Sequence, residues 1–409
     1  VGKSEPLVKE TGLLSKILVD SDPDSLNSLS PGLYIEDLGK NWQDIGVAAS
    51  DLIYAIEYLG NGIVILGDDN YHIYRSTDYG ATWTDLGVIG SDGIISIAYL
   101  GNGIVVAGNW GGDIFRSTDY GATWTDLGTI AYTVDSLLYL GNGIVILGSG
   151  DNHIYRSTDY GATWTDLGLI VAGDYVRGAA YLGNGIAILG DGAGHIYRST
   201  DYGATWTDIG AISGTYTEIL EYLGNGIAIL GDDDGHVFRS TDYGATWTDL
   251  GVVSAGWVYS MAYLGNGIAV FGDNTGHIFR STDYGATWTD LGAISTGSIG
   301  AISYLGNGIV VAGDSKKHIF RSDCAYKTDE SGAGILRASG TATIANGNSS
   351  VTVTHGLDTT PDISSIHLSP THSEVSSAWI TGITSTQFTI NVSAAVTADR
   401  DIGWSIIII

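Results

Sequence analysis

The side chains suited to chemistry are few and unevenly placed. Glu218 and Glu221 flank the approach to Tyr222 and follow Tyr216, and two carboxylates beside a tyrosine are what a glycoside hydrolase needs when their separation is right. Arg177 has no counterpart elsewhere between residues 31 and 325, whereas Arg75, Arg116, Arg156, Arg198, Arg239, Arg280 and Arg321 all stand just before one short motif. Arginines related by a repeat do not converge on one off-axis anion, so a structural pairing with neighbouring acids is expected for them. His72, His153, His195, His236, His277 and His318 recur in the same way, with Asp113 in one of the seven places. A ring that wide does not share a metal ion, which leaves a hydrogen-bonded structural role. Asp232-Asp233-Asp234-Gly235 suggests Ca2+ but lacks the alternating spacing of an EF-hand loop. His355, His367 and His372 read as surface or hydrogen-bonded histidines. No catalytic or metal-binding residue is therefore assigned and no cofactor is expected, Ca2+ being the one ion considered.

Composition narrows the partners. The 409 residues carry 17 Lys and Arg against 45 Asp and Glu, a net charge of −28, which excludes a nucleic acid held by phosphate contacts. With 44% hydrophobic and 15% charged residues the chain has enough apolar matter for a large core. Cys324, the single cysteine, rules out an intrachain disulfide or a thiolate metal cage. No run reaches the roughly 18 apolar residues that span a bilayer, so no membrane insertion is expected. Val1 to Glu10 lacks the regions of a signal peptide, although a cleaved leader would leave no trace.

These residues are set in an overt internal repeat. Ser-Thr-Asp-Tyr-Gly-Ala-Thr-Trp starts at Ser76, Ser117, Ser157, Ser199, Ser240 and Ser281, and Tyr-Leu-Gly-Asn-Gly starts at Tyr58, Tyr99, Tyr139, Tyr181, Tyr222, Tyr263 and Tyr304. The period is thus 40 to 42 residues. Each unit reads as four short β-branched and aromatic runs punctuated by Gly, Asn and Asp, which are strand signals. Four strands per unit of about 40 residues is the signature of a propeller, so the fold expected is all-β with seven blades. The seventh unit degenerates at Ser322 to Cys324 and lacks a Trp strand, while Glu36 to Gly46 matches the missing piece. Exchange of that N-terminal strand into the last blade is expected to close the ring and remove a free edge.

The Ser-x-Asp-x-Gly-x-x-Trp motif resembles the Asp box, or BNR repeat, of sialidases, xyloglucanases, sortilin-type receptors and photosystem assembly propellers. The resemblance implies a structural, peripheral role for Asp37, Asp78, Asp119, Asp159, Asp201, Asp242 and Asp283. Physically, such an Asp accepts backbone N–H bonds across a tight turn, the Gly takes positive φ and the Trp fills space between sheets. Sialidase chemistry as the family is known would need three Arg around a carboxylate, a Tyr–Glu pair and an acid/base Asp. Within the propeller only Arg177 stands outside the repeated place, with Glu218, Glu221 and Tyr216 as a lone cluster, and near-identical units do not supply the unlike roles of a catalytic site.

Comparison of the units with one another shows where they differ. Variation collects in the links from fourth to first strand and from second to third strand, which emerge on one face of the disc because consecutive strands are antiparallel. That face carries Tyr71, Trp110, Tyr132, Tyr175, Tyr216, Trp257 and Tyr259 among small polar residues. Flat aromatics beside Asp and Asn suit sugar binding, by stacking on the ring and bonding its hydroxyls. These seven are the candidate ligand-binding residues.

Residues 1–30 show Leu7, Val8, Leu13, Leu14, Ile17 and Leu18 at near-helical spacing before a Ser/Asp/Pro-rich stretch, suggesting a docking segment and linker. The propeller is expected over 31–325, a linker over 326–338, and a small C-terminal β-sandwich over 339–409. The run from Gly340 to Gly356, with Pro361, Trp379 to Thr381, Phe388 to Asn391 and Gly403-Trp404, resembles β domains at the ends of phage and archaeal-virus tail-fibre proteins. The apolar Ile406 to Ile409 terminus argues for a subunit interface, whether in a homo-oligomer such as a trimer or on a larger particle. The expected function is that of a non-enzymatic virion-surface protein, extracellular or on the particle, in contact with other virion proteins and with a host-surface glycan or receptor. The alternatives are an extracellular glycoside hydrolase of sialidase or xyloglucanase type and a cellular secreted adhesin.

Overall fold

The computed structural model describes residues 38–169 and 175–323, together with the strands Leu336–Ile344, Ser350–Thr354, Ile366–Pro370, Ala378–Thr381, Gln387–Val392 and Arg400–Ile408. The expected N-terminal docking segment and Asp37 lie outside the described residues, as do His355, His372 and Ile409. Every regular element among the described residues is a strand.

Seven four-stranded antiparallel sheets make up the unit Asp37–Asp323. Blade one shows how each is built. Its inner strand Ile53–Gly60 turns through Asn61 and Gly62 into Ile63–Asp68. Both turn residues take positive φ, 52° and 79°, the tight Asn-Gly reversal whose twist matches the flanking strands. A short link leads to His72–Ser76, and the Asp box leads to the outer strand Thr84–Val88. The second strand is buried nearly throughout while the outer strand is exposed, as sequence pattern requires of a sheet covered on both faces at its centre. In blade seven the strands Ile299–Tyr304, Ile309–Asp314 and His318–Asp323 are completed by Gln43–Val47, which pairs with the third of them (Gln43 with Arg321, Val47 with His318).

The core lies between blades rather than within them. One cluster joins Leu59, Ile65 and Ile73 of blade one to Ile94, Val105 and Phe115 of blade two, with Trp124 of the second box packed on it. Another joins Val64, Leu66 and Tyr74 of blade one to Leu305, Val311 and Ile319 of blade seven, with Ile45 and Trp83 against it. Close approach rests on a glycine at the end of each second strand. A Cβ on Gly67 would meet Ile94 at 2.5 Å, one on Gly272 would meet Ile299 at 2.5 Å, and one on Gly313 would meet Ile53 of blade one at 2.5 Å. A β-branched residue at the head of each inner strand thus sits in a socket left by the preceding blade.

The C-terminal strands form two three-stranded antiparallel sheets. In one, Arg400–Ile408 lies between Leu336–Ile344 and Ile366–Pro370; in the other, Gln387–Val392 lies between Ser350–Thr354 and Ala378–Thr381.

Candidate functional site

The repeated polar residues hold the ring together. In the first Asp box, Ser76 Oγ donates to Asp78 Oδ1 (2.8 Å), Gly80 N donates to Ser76 Oγ (2.9 Å), and Thr82 donates through N and Oγ1 to the two carboxylate oxygens (2.8 and 2.6 Å). The same bonds recur around Asp119, Asp159, Asp201, Asp242 and Asp283. Partial burial works to raise the Asp78 pKa, but the bonds from Thr82 and Ser76 outweigh it and hold the carboxyl below its ordinary range. Trp83 Nε1 donates to Gly80 O (3.1 Å). The tyrosine of each box is left-handed; Tyr120 (φ 58°) is held by its N–H on Gly103 O (2.9 Å).

The arginines before the boxes are structural, and six of them donate to backbone carbonyls where acids were expected. Arg75 Nε donates to Tyr120 O in the next blade (2.9 Å), and Arg116, Arg156, Arg198 and Arg239 do the same to Tyr160, Tyr202, Tyr243 and Tyr284. Arg280 reaches Leu38 O (2.7 Å). The left-handed tyrosine turns its carbonyl toward the neighbouring blade, and a guanidinium satisfies it. Each recurring histidine pairs through Nδ1 with an outer-strand aspartate, from His72 with Asp85 (2.9 Å) to His318 with Asp44 (2.7 Å). The first acid of each Asp run clamps its own turn: Asp232 Oδ1 accepts from Asp234 N and His236 N, and Oδ2 from Ser213 Oγ. Among the described residues no group of three or more His, Cys, Asp or Glu is placed to hold a metal.

What is not repeated collects at the axis. Aligned by their Tyr-Leu-Gly motifs, the seven units carry, four places before the Tyr, Tyr54, Ile95, Asp135, Arg177, Glu218, Tyr259 and Gly300, six residue types in seven blades. This position lies where the chain arrives from the variable links, so it rims one mouth of the axial channel. Arg177 Nη1 donates to both oxygens of Glu218 (3.0 and 2.9 Å), whose side chain is 5% exposed. Burial raises the Glu218 pKa despite Arg177. Burial likewise lifts Asp135 to about 6, opposed by the bond from Thr133 and by Arg177 and reinforced by Asp151. The Tyr54 phenol is pushed up to about 12, first by burial, then by Asp69, Tyr259 and Asp51. Asp135 Oδ2 and Asp233 Oδ1 are buried without a hydrogen-bond partner, a costly state for an acceptor.

Several of the expected ligand-binding aromatics gather at this rim. Trp110 meets Tyr54 edge to face (6.1 Å, 86°), and a Cβ on Gly93 would touch both Trp110 and Asp69. Trp257, 42% exposed, lies parallel to Tyr259 (6.4 Å, 4°), and burial together with Glu218 raises the Tyr259 phenol against the pull of Arg177. A Cβ on Gly150 would meet Tyr175 and Asp135 Oδ2 at 2.9 and 3.0 Å. Tyr132 is exposed on its link, Tyr216 is half-buried where its carbonyl accepts from Asp233 N, and Tyr71 takes the left-handed turn place filled by glycine in four other blades. Tyr54 and Asp135 were missed by motif reading. The signal that finds them is the column of unlike residues at one inner-strand position. Glu221 does not join Glu218: it points toward the next blade, where Oε1 accepts from Tyr263 N (3.0 Å), as Glu57 accepts from Tyr99 N (3.0 Å).

In sequence, the BNR-Asp box repeat family matches residues 196–209, one third-strand and box segment. No curated protein matches the chain. Among solved structures, YCF48 bound to a D1 peptide superposes with a TM-score of 0.58 at 17% identity, covering 69% of this chain and 96% of that one. YCF48 from Cyanidioschyzon merolae gives 0.56 at 12% identity over 69% and 98%, and the WD40 β-propeller domain of Doa1 gives 0.56 at 15% over 69% and 96%. At these identities the likeness shows the fold: a β-propeller carrying BNR repeats.

Proposed function

We propose that the propeller is a non-catalytic recognition module whose variable face binds a glycan on a host surface. One observation carries this reading. Seven units that share one strand plan bring six different residue types to one rim position, and half-exposed aromatics stand beside carboxylates there. A scaffold kept constant under a surface that is not kept constant is the layout of a binding face. A hydrolytic role fits less well, because Glu218, the most buried acid of the rim, has both oxygens engaged by Arg177. The resemblance of the C-terminal run to virion β domains supports a place on a virus particle, outside a cell, with the two C-terminal sheets packed as a sandwich that attaches or oligomerises the chain.

The test is binding of the full chain to a panel of cell-surface polysaccharides, with product analysis of the same mixtures and Trp110→Ala and Trp257→Ala as controls. Binding without cleavage, lost in both variants, is expected. Release of shorter products would establish a hydrolase instead. Capture of a polysaccharide unaffected by either variant would place the binding elsewhere.

A further inference from the structure

We propose that the seam of the ring holds a binding site for one tetrahedral oxyanion, a phosphate or sulfate group, between Lys40 of the closing segment and blade six. The site lies on the box side of the perimeter, apart from the variable links, and does not depend on the recognition reading. A pocket of ≈ 130 Å³ opens there, lined by Lys40, Arg280, Thr282, Thr287, Thr289 and Leu291. At about 30 Å³ per water it has room for roughly four waters, which suits a single phosphate-sized group and falls short of the ~300 Å³ of a site for a larger ligand. Both charged groups of the lining are cations, in a chain of net charge −28. Lys40 is exposed and makes no hydrogen bond or ion pair with a described residue, and the hydroxyls of Thr282 and Thr289 likewise have no partner among the described residues. Thr287 Oγ1 is committed to Asp283 Oδ2 (2.6 Å), and that acid also accepts from Thr287 N and Ser281 Oγ. Arg280 forms the floor, with Nε on Leu38 O (2.7 Å); it is buried (6% exposed), whereas its counterparts before the other boxes are only partly so.

The internal repeat isolates what is special at the seam. Where blades one and two join, Arg75 donates to Tyr120 O, and Gly121 and Ala122 follow; at the seam Arg280 donates to Leu38 O, and Gly39 and Lys40 follow. Alanine fills this place in all six full boxes, from Ala81 to Ala286, so closing a joint does not require a lysine. Lys40, Arg280, Thr282 and Thr289 bring donors to the pocket from four places on two chain segments, which matches the three or four oxygens of a phosphate or sulfate better than the two of a carboxylate. Bound there, the anion would tie the segment that precedes Gln43–Val47 to blade six.

The experiment is equilibrium dialysis of radiolabelled inorganic phosphate against the full chain at about 0.15 M ionic strength, where the field of the distant acids is screened within about 8 Å. One phosphate per chain is expected. Lys40→Ala, which gives the seam the residue of the other six joints, should keep the circular dichroism of the wild type and weaken binding at least about tenfold, as loss of a hydrogen bond from a charged donor does. Phosphate should raise the Tm of the wild type but not of this variant. Ala122→Lys, beside the matching Arg75, Thr77 and Thr84, is expected to raise the count to two. Sulfate should displace the label. Glucose 6-phosphate separates the two sources of the group: displacement at least as strong as by the free ion assigns a phosphate ester, and weaker displacement assigns the free ion. No saturable phosphate binding, binding unchanged in Lys40→Ala, or displacement by acetate equal to that by sulfate would overturn the proposal.

Discussion

Replacing Glu57 or Glu221 by glutamine is expected to stabilise the propeller at pH 8 and to leave it almost unchanged at pH 4.5. Both carboxyls lie within the ring, each accepting one edge N–H from the next blade, and burial pushes each from 4.5 up to about 7. The folded state therefore holds protons that the unfolded chain releases. Stability from this source is fully present below about pH 4.5, declines as the pH rises toward 7, and is lost above it. A displacement of that size is worth about 3 kcal/mol per site at ~1.4 kcal/mol per pH unit. By accessible surface both residues are only partly buried, and allowing for solvent screening brings the expected effect down to about 1–2 kcal/mol. Glutamine retains the acceptor for Tyr99 or Tyr263 N–H while removing the charge. Denaturant titrations at the two pH values measure the difference, and thermal melts should show a rise of about 2–6 °C at pH 8 alone. Because Glu57 contributes to the Glu221 shift, the double variant should gain less than the sum. A glutamine variant equally affected at both pH values, or weakened at pH 8, would show that these carboxyls ionise normally and that the burial argument is wrong.

Arg177→Met should cost about 2–3 kcal/mol at pH 8, because it strands the Glu218 carboxylate, and Glu218→Gln in the same chain should recover most of it; unfolding of the wild type and the two variants decides this. Asp119→Ala removes an acceptor for Thr123 N and Oγ1 (2.9 and 2.7 Å) and is expected to cost about 1–3 kcal/mol at pH 7. The Asp119 carboxyl, partly buried but held low by the Thr123 bonds, contributes stability above about pH 4 that vanishes as the pH falls. The gap between wild type and variant should therefore narrow in acid. Gly108→Ala would drive a methyl into Val134 and should lower stability by about 1–3 kcal/mol, with Val134→Ala relieving the clash in the double variant.

The blade plan was legible because turn chemistry and hydrophobic runs recur at a fixed period, so Asn61-Gly62 and the Ser76 to Trp83 box announced a hairpin and a corner seven times over. The boxes' Asp bonds and the Trp packing followed from residue type alone. The partner of the arginines did not, since nothing local shows that Tyr120 is left-handed with its carbonyl turned to the neighbouring blade. The rim was legible only in part. Large aromatics such as Trp257 stand out on any link, whereas Tyr54 sits inside an ordinary strand and Asp135 just before one, and they matter because distant segments converge there. Glu218 and Glu221, three residues apart, look like a pair on paper. In the strand one faces the rim and Arg177 and the other the next blade's edge.

The glycine sockets bear on how such a ring keeps its order. Gly67, Gly108, Gly148, Gly190, Gly231, Gly272 and Gly313 are interchangeable, and the plugs they receive are Ile94, Val134, Val176, Thr217, Val258, Ile299 and Ile53, nearly so. As far as the sockets go, any blade would dock on any other with little penalty. The sockets therefore do not encode which neighbour is correct; that is left to chain connectivity and to unlike contacts such as Arg177 on Glu218. Duplication or loss of one whole unit would leave every socket filled, so a lineage of such chains could change its blade number, and with it the width of the axial opening, in a single step at little cost in packing.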